Sequence, residues 1–161
     1  MRPGNGPQFF LYTLYLDRDT IQNKKSWRFR NRKRMEDKFI AFKGEIFTIE
    51  WYYNDRGKSA AYEYYLDLSI KQRDKLIFLF DVLANTGKIR SEEKFRFEGD
   101  QIFAFKPSPD RFLCFFYEGA KLIVTNAFEK KADKLPPREK QRALKLKVDY
   151  IKRNKEGTYY E

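Results

Sequence analysis

No histidine occurs among the 161 residues, and cysteine occurs once, at Cys114. The first absence removes the usual general base of neutral-pH catalysis and the commonest metal ligand. With a single thiol and no imidazole, a zinc site has no ligand set, and neither a metal nor another cofactor is expected. A lone cysteine excludes an internal disulfide and suits a reducing, cytoplasmic compartment. It stands between Leu113 and Phe115 in an apolar run and reads as a small buried hydrophobe. No run approaches the ~18 apolar residues of a membrane span, so no membrane partner is expected. Residues 9–16 are short and lack a small-residue cleavage site, which argues against a signal peptide. No glycine-rich phosphate loop, nucleophile–base pair or internal repeat is visible, which disfavours a conventional metabolic enzyme.

What the chain has in excess is positive charge and aromatic surface. Net charge is +11, with charged residues at 35% and Phe, Tyr and Trp at 18%. Such a balance points to nucleic acid or another polyanion as partner. The charge is uneven: residues 1–44 carry 11 Lys/Arg against 4 Asp/Glu, residues 128–155 carry the same, and residues 45–127 carry 12 against 13. The length fits one domain with a sizeable core.

Along the chain, residues 1–7 read as a flexible lead and residues 8–16 as a candidate strand. Residues 24–38 pack cations around Trp27 and Phe29, and three readings stay open. They are a single-strand-binding arm using charge and stacking, a disordered basic arm, and sequence upstream of a true start at Met35. Residues 45–53 alternate, with Phe47, Ile49, Trp51 and Tyr53 facing one way, which predicts a strand with one buried face. Residues 59–66 read as a short helix. Ser69 with Gln72 forms a capping-box signature, followed by Leu76, Ile77, Phe80, Leu83 and Ala84 at helical spacing and by Gly87 as C-cap. Phe95 and Phe97 alternate with Lys94, Arg96 and Glu98, so a short strand is expected to carry both cations on one face.

Residues 101–131 hold three apolar runs bounded by turn residues, with the sequence Pro107-Ser-Pro-Asp110 in the first turn and Glu118-Gly119 in the second. Their aromatic and β-branched content predicts an antiparallel meander. Lys106, Arg111, Lys130 and Lys131 fall at strand ends, where they are expected to converge on one rim suited to a polyanion. Pro136-Pro137 opens a basic helix with Leu144, Val148 and Ile151 as its apolar stripe, widened by Ala143 and Tyr150. Its cations, among them Lys140, Lys145 and Lys147, are expected on a positive back that contacts RNA. Residues 154–161 are expected to fray. The predicted fold is α+β: an N-terminal strand, two helices, an antiparallel sheet of about four strands and a C-terminal basic helix. The division is a basic extension at 1–44, a domain at 45–155 and a tail at 156–161.

The run R-F-L-C-F-F-Y-E-G, the strand ending F-E-K-K and the following K-L-P-P-R-E-K-Q-R-A-L resemble bacterial RelE-type toxins, and within them the HigB-like, phage-related branch. The resemblance covers roughly residues 45–153 and is sharpest over 102–151. The element order agrees, but the N-terminal extension departs from the pattern of these compact proteins. It implies a toxin of a type II toxin–antitoxin system, a ribosome-dependent messenger RNA endonuclease, held in check by an antitoxin with a helix-turn-helix DNA-binding domain.

RNA can be cut without metal when its own 2′-hydroxyl attacks the adjacent phosphate. Similar toxins drive this with Lys and Arg. A lysine crowded by cations has a depressed pKa and can act as base, while arginine stabilises the phosphorane-like transition state. On this reading Lys94 or Lys106 is the base, Arg111 and Arg96 hold the phosphate, and Lys130 or Lys131 is a further cation. Arg111, Lys130 and Lys131 match the family pattern best, whereas Lys106 stands where arginine is common. Tyr117 or Phe128 is a candidate for stacking on a base. Two other readings stay open: a ParE-like toxin that inhibits a topoisomerase by protein contact, and a non-catalytic RNA- or DNA-binding domain.

Overall fold

A computed structural model describes residues 37–161. The candidate strand at 8–16 and nearly all of the basic stretch at 24–38 lie outside the described residues. Six strands make one sheet: β1 (Ile40–Lys43), β2 (Thr48–Trp51), β3 (Phe95–Phe97), β4 (Phe103–Phe105), β5 (Asp110–Tyr117) and β6 (Lys121–Glu129). Their spatial order is β1-β2-β6-β5-β4-β3. Strands β3 to β6 are the expected antiparallel meander. The sheet is larger than the four strands anticipated because β2 adds to it in parallel beside β6, and β1 pairs with β2. β1 carries no sequence signal strong enough to announce it: four residues, half-buried or exposed.

Helices α1 (Ala60–Asp67) and α2 (Ile70–Thr86) lie on one face of the sheet, and α3 (Pro137–Lys155) on the other. The local chemistry of α2 is as the sequence predicts. The Ser69 hydroxyl accepts from the Gln72 amide, the Gln72 side chain accepts from the Ser69 amide, and Gly87 closes the helix at φ 80°. This satisfies orphan amides at one end and places at the other the residue that tolerates a left-handed backbone. Gly44 allows the β1–β2 turn to meet the end of α2, since a Cβ there would lie 2.5 Å from Ala84. The Ala84 carbonyl accepts from the amides of Ile46 and Phe47.

Ile49, Trp51, Phe105, Phe112 and Val124 pack against Leu76, Phe80 and Leu83 of the helices. Across the sheet, Ala104, Leu113, Phe115 and Ile123 pack against Ala143 and Tyr150 of α3. Two expectations are corrected here. β2 is buried on both faces, not one: Glu50 is 5% exposed and Tyr52 3%. The face of α3 against the sheet centres on Ala143 and Tyr150, with Leu144, Leu146 and Ile151 packed at its edges, whereas Val148 is 67% exposed. Aromatic volume set this choice, because Tyr150 fills the gap against Phe115 and Tyr117 edge-on.

The segment after α3 does not fray. Tyr159 is 1% exposed and its hydroxyl accepts the Tyr53 amide at 2.8 Å. The Tyr160 hydroxyl donates to Glu50 at 2.6 Å, and Lys121 pairs with the other Glu50 oxygen at 3.3 Å. The buried carboxylate of β2 is thus satisfied by a residue 110 positions later.

Candidate active site

On the α3 side of the meander, beyond the start of that helix, the sheet is left uncovered among the described residues. Strand alternation brings Arg96 of β3, Ala104 of β4, Arg111 of β5 and Phe128 of β6 to this same face, as the pairings Arg96↔Ala104 and Arg111↔Phe128 require. Lys106, two residues beyond Ala104, and Lys130, two beyond Phe128, extend it. Together with Glu98 and the loop carrying Asp133, Lys134 and Leu135 they line one concavity. Five cations face two carboxylates there.

Two anchors hold the turn that carries Lys106 and Arg111. Asp110, 2% exposed, accepts from the Tyr64 hydroxyl at 2.6 Å and from the Gln72 side chain at 3.2 Å. It ties the start of β5 to α1 and α2 while its neighbour Arg111 faces the other way. The Lys130 amide donates to the Pro109 carbonyl, closing the turn onto the end of β6. The Arg111 guanidinium donates to the Asp110 carbonyl at 2.9 Å, and the Lys106 ammonium to the Glu92 carbonyl at 3.1 Å.

Burial, helped by the charges of Arg111, Arg96 and Lys130, pulls the Lys106 ammonium below its ordinary pKa, and Glu98 opposes this. Burial likewise lowers Arg111, again against Glu98 and Asp110. Lys130 also pairs with Asp133 at 2.9 Å, but Asp133 is almost fully exposed, so the pair is weak. A partly dehydrated lysine beside other cations holds its proton less tightly than a free one, and the concavity carries an excess of positive charge.

Of the six catalytic candidates the structure brings four together: Arg96, Lys106, Arg111 and Lys130. Lys94 does not join them. The amides of Lys94 and Phe95 both donate to the Ser91 carbonyl, so residues 91–94 form a turn and alternation begins only at Phe95. Lys94 borders a groove beside α2 instead. Lys131 is exposed in the loop after β6 and does not line the concavity.

The three candidate RNA contacts on α3 separate too. Lys140 pairs with Asp100 at 2.8 Å and Lys147 donates to Gln101 at 2.8 Å, so both clasp the β3–β4 turn. Lys145 alone is on the exposed back, beside Arg138 and Arg142. Tyr117 packs on Tyr150 and accepts from Asn154 away from the concavity, while Phe128 lines it. Cys114 is fully buried, and burial raises its thiol pKa.

Sequence reasoning passed over Glu98, Lys134 and Asp110. For Glu98 the signal existed, because it lies two residues beyond Arg96 on the same alternation. Asp110 read as a turn former, and its partners Tyr64 and Gln72 are 46 and 38 residues away.

Fold and site together define a small α+β domain with a cationic concavity on an antiparallel meander. The chain belongs to the phage derived protein Gp49-like family (DUF891), whose sequence model matches residues 63–148, more than half of it. This is a RelE/HigB-like toxin family of toxin–antitoxin systems. The matched region holds all four clustered cations. No curated protein matches the chain. Among the described residues no helix is long and apolar enough to cross a membrane.

Proposed function

We propose that the protein is the toxin of a type II toxin–antitoxin pair, of the HigB-like branch, and that it cleaves messenger RNA on the ribosome in the cytoplasm. The observation that carries this reading is the convergence of Arg96, Lys106, Arg111 and Lys130 in one concavity, with the Lys106 pKa drawn down. Neutral Lys106 takes the proton of the 2′-hydroxyl, and the oxygen attacks the adjacent phosphorus. Arg111 and Arg96 neutralise the charge that grows on the non-bridging oxygens. The Lys130 ammonium donates a proton to the departing 5′-oxygen, leaving a 2′,3′-cyclic phosphate and a 5′-hydroxyl. Phe128 offers a partly exposed ring to the base beside the cut. The partner that restrains this activity is an antitoxin with a helix-turn-helix domain.

Inducible expression in bacteria tests the reading, with 5′ ends mapped on a reporter message. Wild type is expected to arrest growth and create new 5′ ends, and Arg111→Ala with Lys130→Ala to do neither. Arrest by both proteins without new ends would replace the nuclease with a protein target such as a topoisomerase. RNA binding without cleavage would leave a non-catalytic binding domain.

A further inference from the structure

The outer side of α2 carries a feature that the cationic concavity does not use. Helices that pack on a sheet normally expose polar residues on the far side. Here Ile70 is 77% exposed and Phe78 65%, both on the side away from the core stripe of Leu76, Phe80 and Leu83. With Leu79 and Pro107 they line a groove of about 780 Å³ between α2 and the β4–β5 turn. Exposed aromatic and β-branched surface in a concave setting is the usual form of a docking site.

Charge states what kind of chain it fits. Lys71, Lys75 and Lys94 border the apolar floor, against one carboxylate, Asp74. From Ile70 to Phe78 the floor runs about two helical turns, roughly 12 Å at ~1.5 Å per residue. That length takes two or three apolar side chains at i, i+3/i+4 and i+7 from an amphipathic helix.

We propose that this groove binds an amphipathic segment of a partner protein, with apolar anchors over Phe78 and Ile70 and acidic residues toward Lys71, Lys75 and Lys94. Nucleic acid fits less well, because one exposed ring offers no run of stacking platforms. The inference rests on the groove and stands whether or not the concavity cuts RNA. The two surfaces share one wall: Pro107 and Ser108 border the groove, Lys106 and Arg111 flank them, and Lys75 donates to the Ser108 carbonyl at 3.3 Å.

A displayed library of random amphipathic peptides, selected on the purified full chain, tests this without presuming charge. Peptides with apolar residues at helical spacing and net negative charge are expected to be enriched. Their Kd should rise about tenfold or more with Phe78→Ala, as for a central aromatic anchor. It should rise several-fold with Lys71→Glu plus Lys75→Glu, whose side chains are exposed and leave the core untouched, and stay unchanged with Arg111→Ala. Enrichment of basic or neutral peptides, or binding indifferent to both groove variants, overturns the proposal. Displacement of the peptides by a single-stranded RNA whose own binding falls with Phe78→Ala would make the groove a nucleic-acid surface and overturn it equally.

Discussion

At the scale of single residues, the proposed nuclease would take its pH behaviour from Lys106 and Glu98. In the proposed mechanism Lys106 works as a base only when neutral, so cleavage is expected to rise with pH until its ammonium is lost. Burial first, and then Arg111, Arg96 and Lys130, hold its pKa down, and Glu98 holds it up. Removing the negative neighbour therefore moves the acidic limb of the rate profile to lower pH, and removing a positive one moves it higher. Single-turnover cleavage of a ribosome-bound message across pH should show Glu98→Gln shifted down and Lys130→Met shifted up, the latter also slower at its plateau. A pH profile that neither substitution moves would remove Lys106 from the role of base. The four clustered cations were legible because turn residues mark the strand ends and alternation assigns the face. Lys94 misled the same logic: it stands one residue outside β3, inside a turn whose hydrogen bonds to Ser91 have no signature in the local sequence.

At the scale of elements, the helices and the meander follow from short-range rules. The capping box of Ser69 and Gln72, the left-handed Gly87 and the period-two aromatics of β3 and β4 decide their structure within a few residues. What the sequence conceals is long-range pairing. The apolar positions of α3 fit two neighbouring stripes, and only Phe115 and Tyr117 across the gap select the one with Tyr150. Tyr159 likewise reads as part of a polar tail until the pocket between Phe39, Tyr53 and Tyr150 is seen to receive it. Tyr159→Ala is expected to lower unfolding stability by about 3 kcal/mol, as for a large core truncation. Ser69→Ala, which removes one cap, should cost about 1 kcal/mol. Urea titration followed by far-ultraviolet circular dichroism separates the two, and equal midpoints would show the Tyr159 site to be dispensable.

At the scale of the whole molecule, the net charge of +11 would govern association with RNA under the proposed function. Each phosphate neutralised on a single strand contributes about −0.7 to the slope of log affinity against log salt. With four clustered cations engaged, an uncleavable single strand bearing a 2′-deoxy link should bind with a slope of roughly −3. Arg111→Ala and Lys130→Ala should each reduce that slope by about one. Fluorescence anisotropy from low to moderate salt checks it. A slope unchanged by both would mean that RNA tracks the exposed back of α3 near Lys145 and not the concavity.

The parallel seam between β2 and β6 bears on the order in which the molecule takes shape. Ile49 lies beside Leu122, about seventy residues along the chain, whereas β3, β4 and β5 each pair with the next strand in sequence. Closing a long loop costs more entropy and comes later than zipping a hairpin. All four clustered cations belong to the hairpin half. The charged surface is therefore expected to form by local folding, ahead of the seam that joins it to β1 and β2.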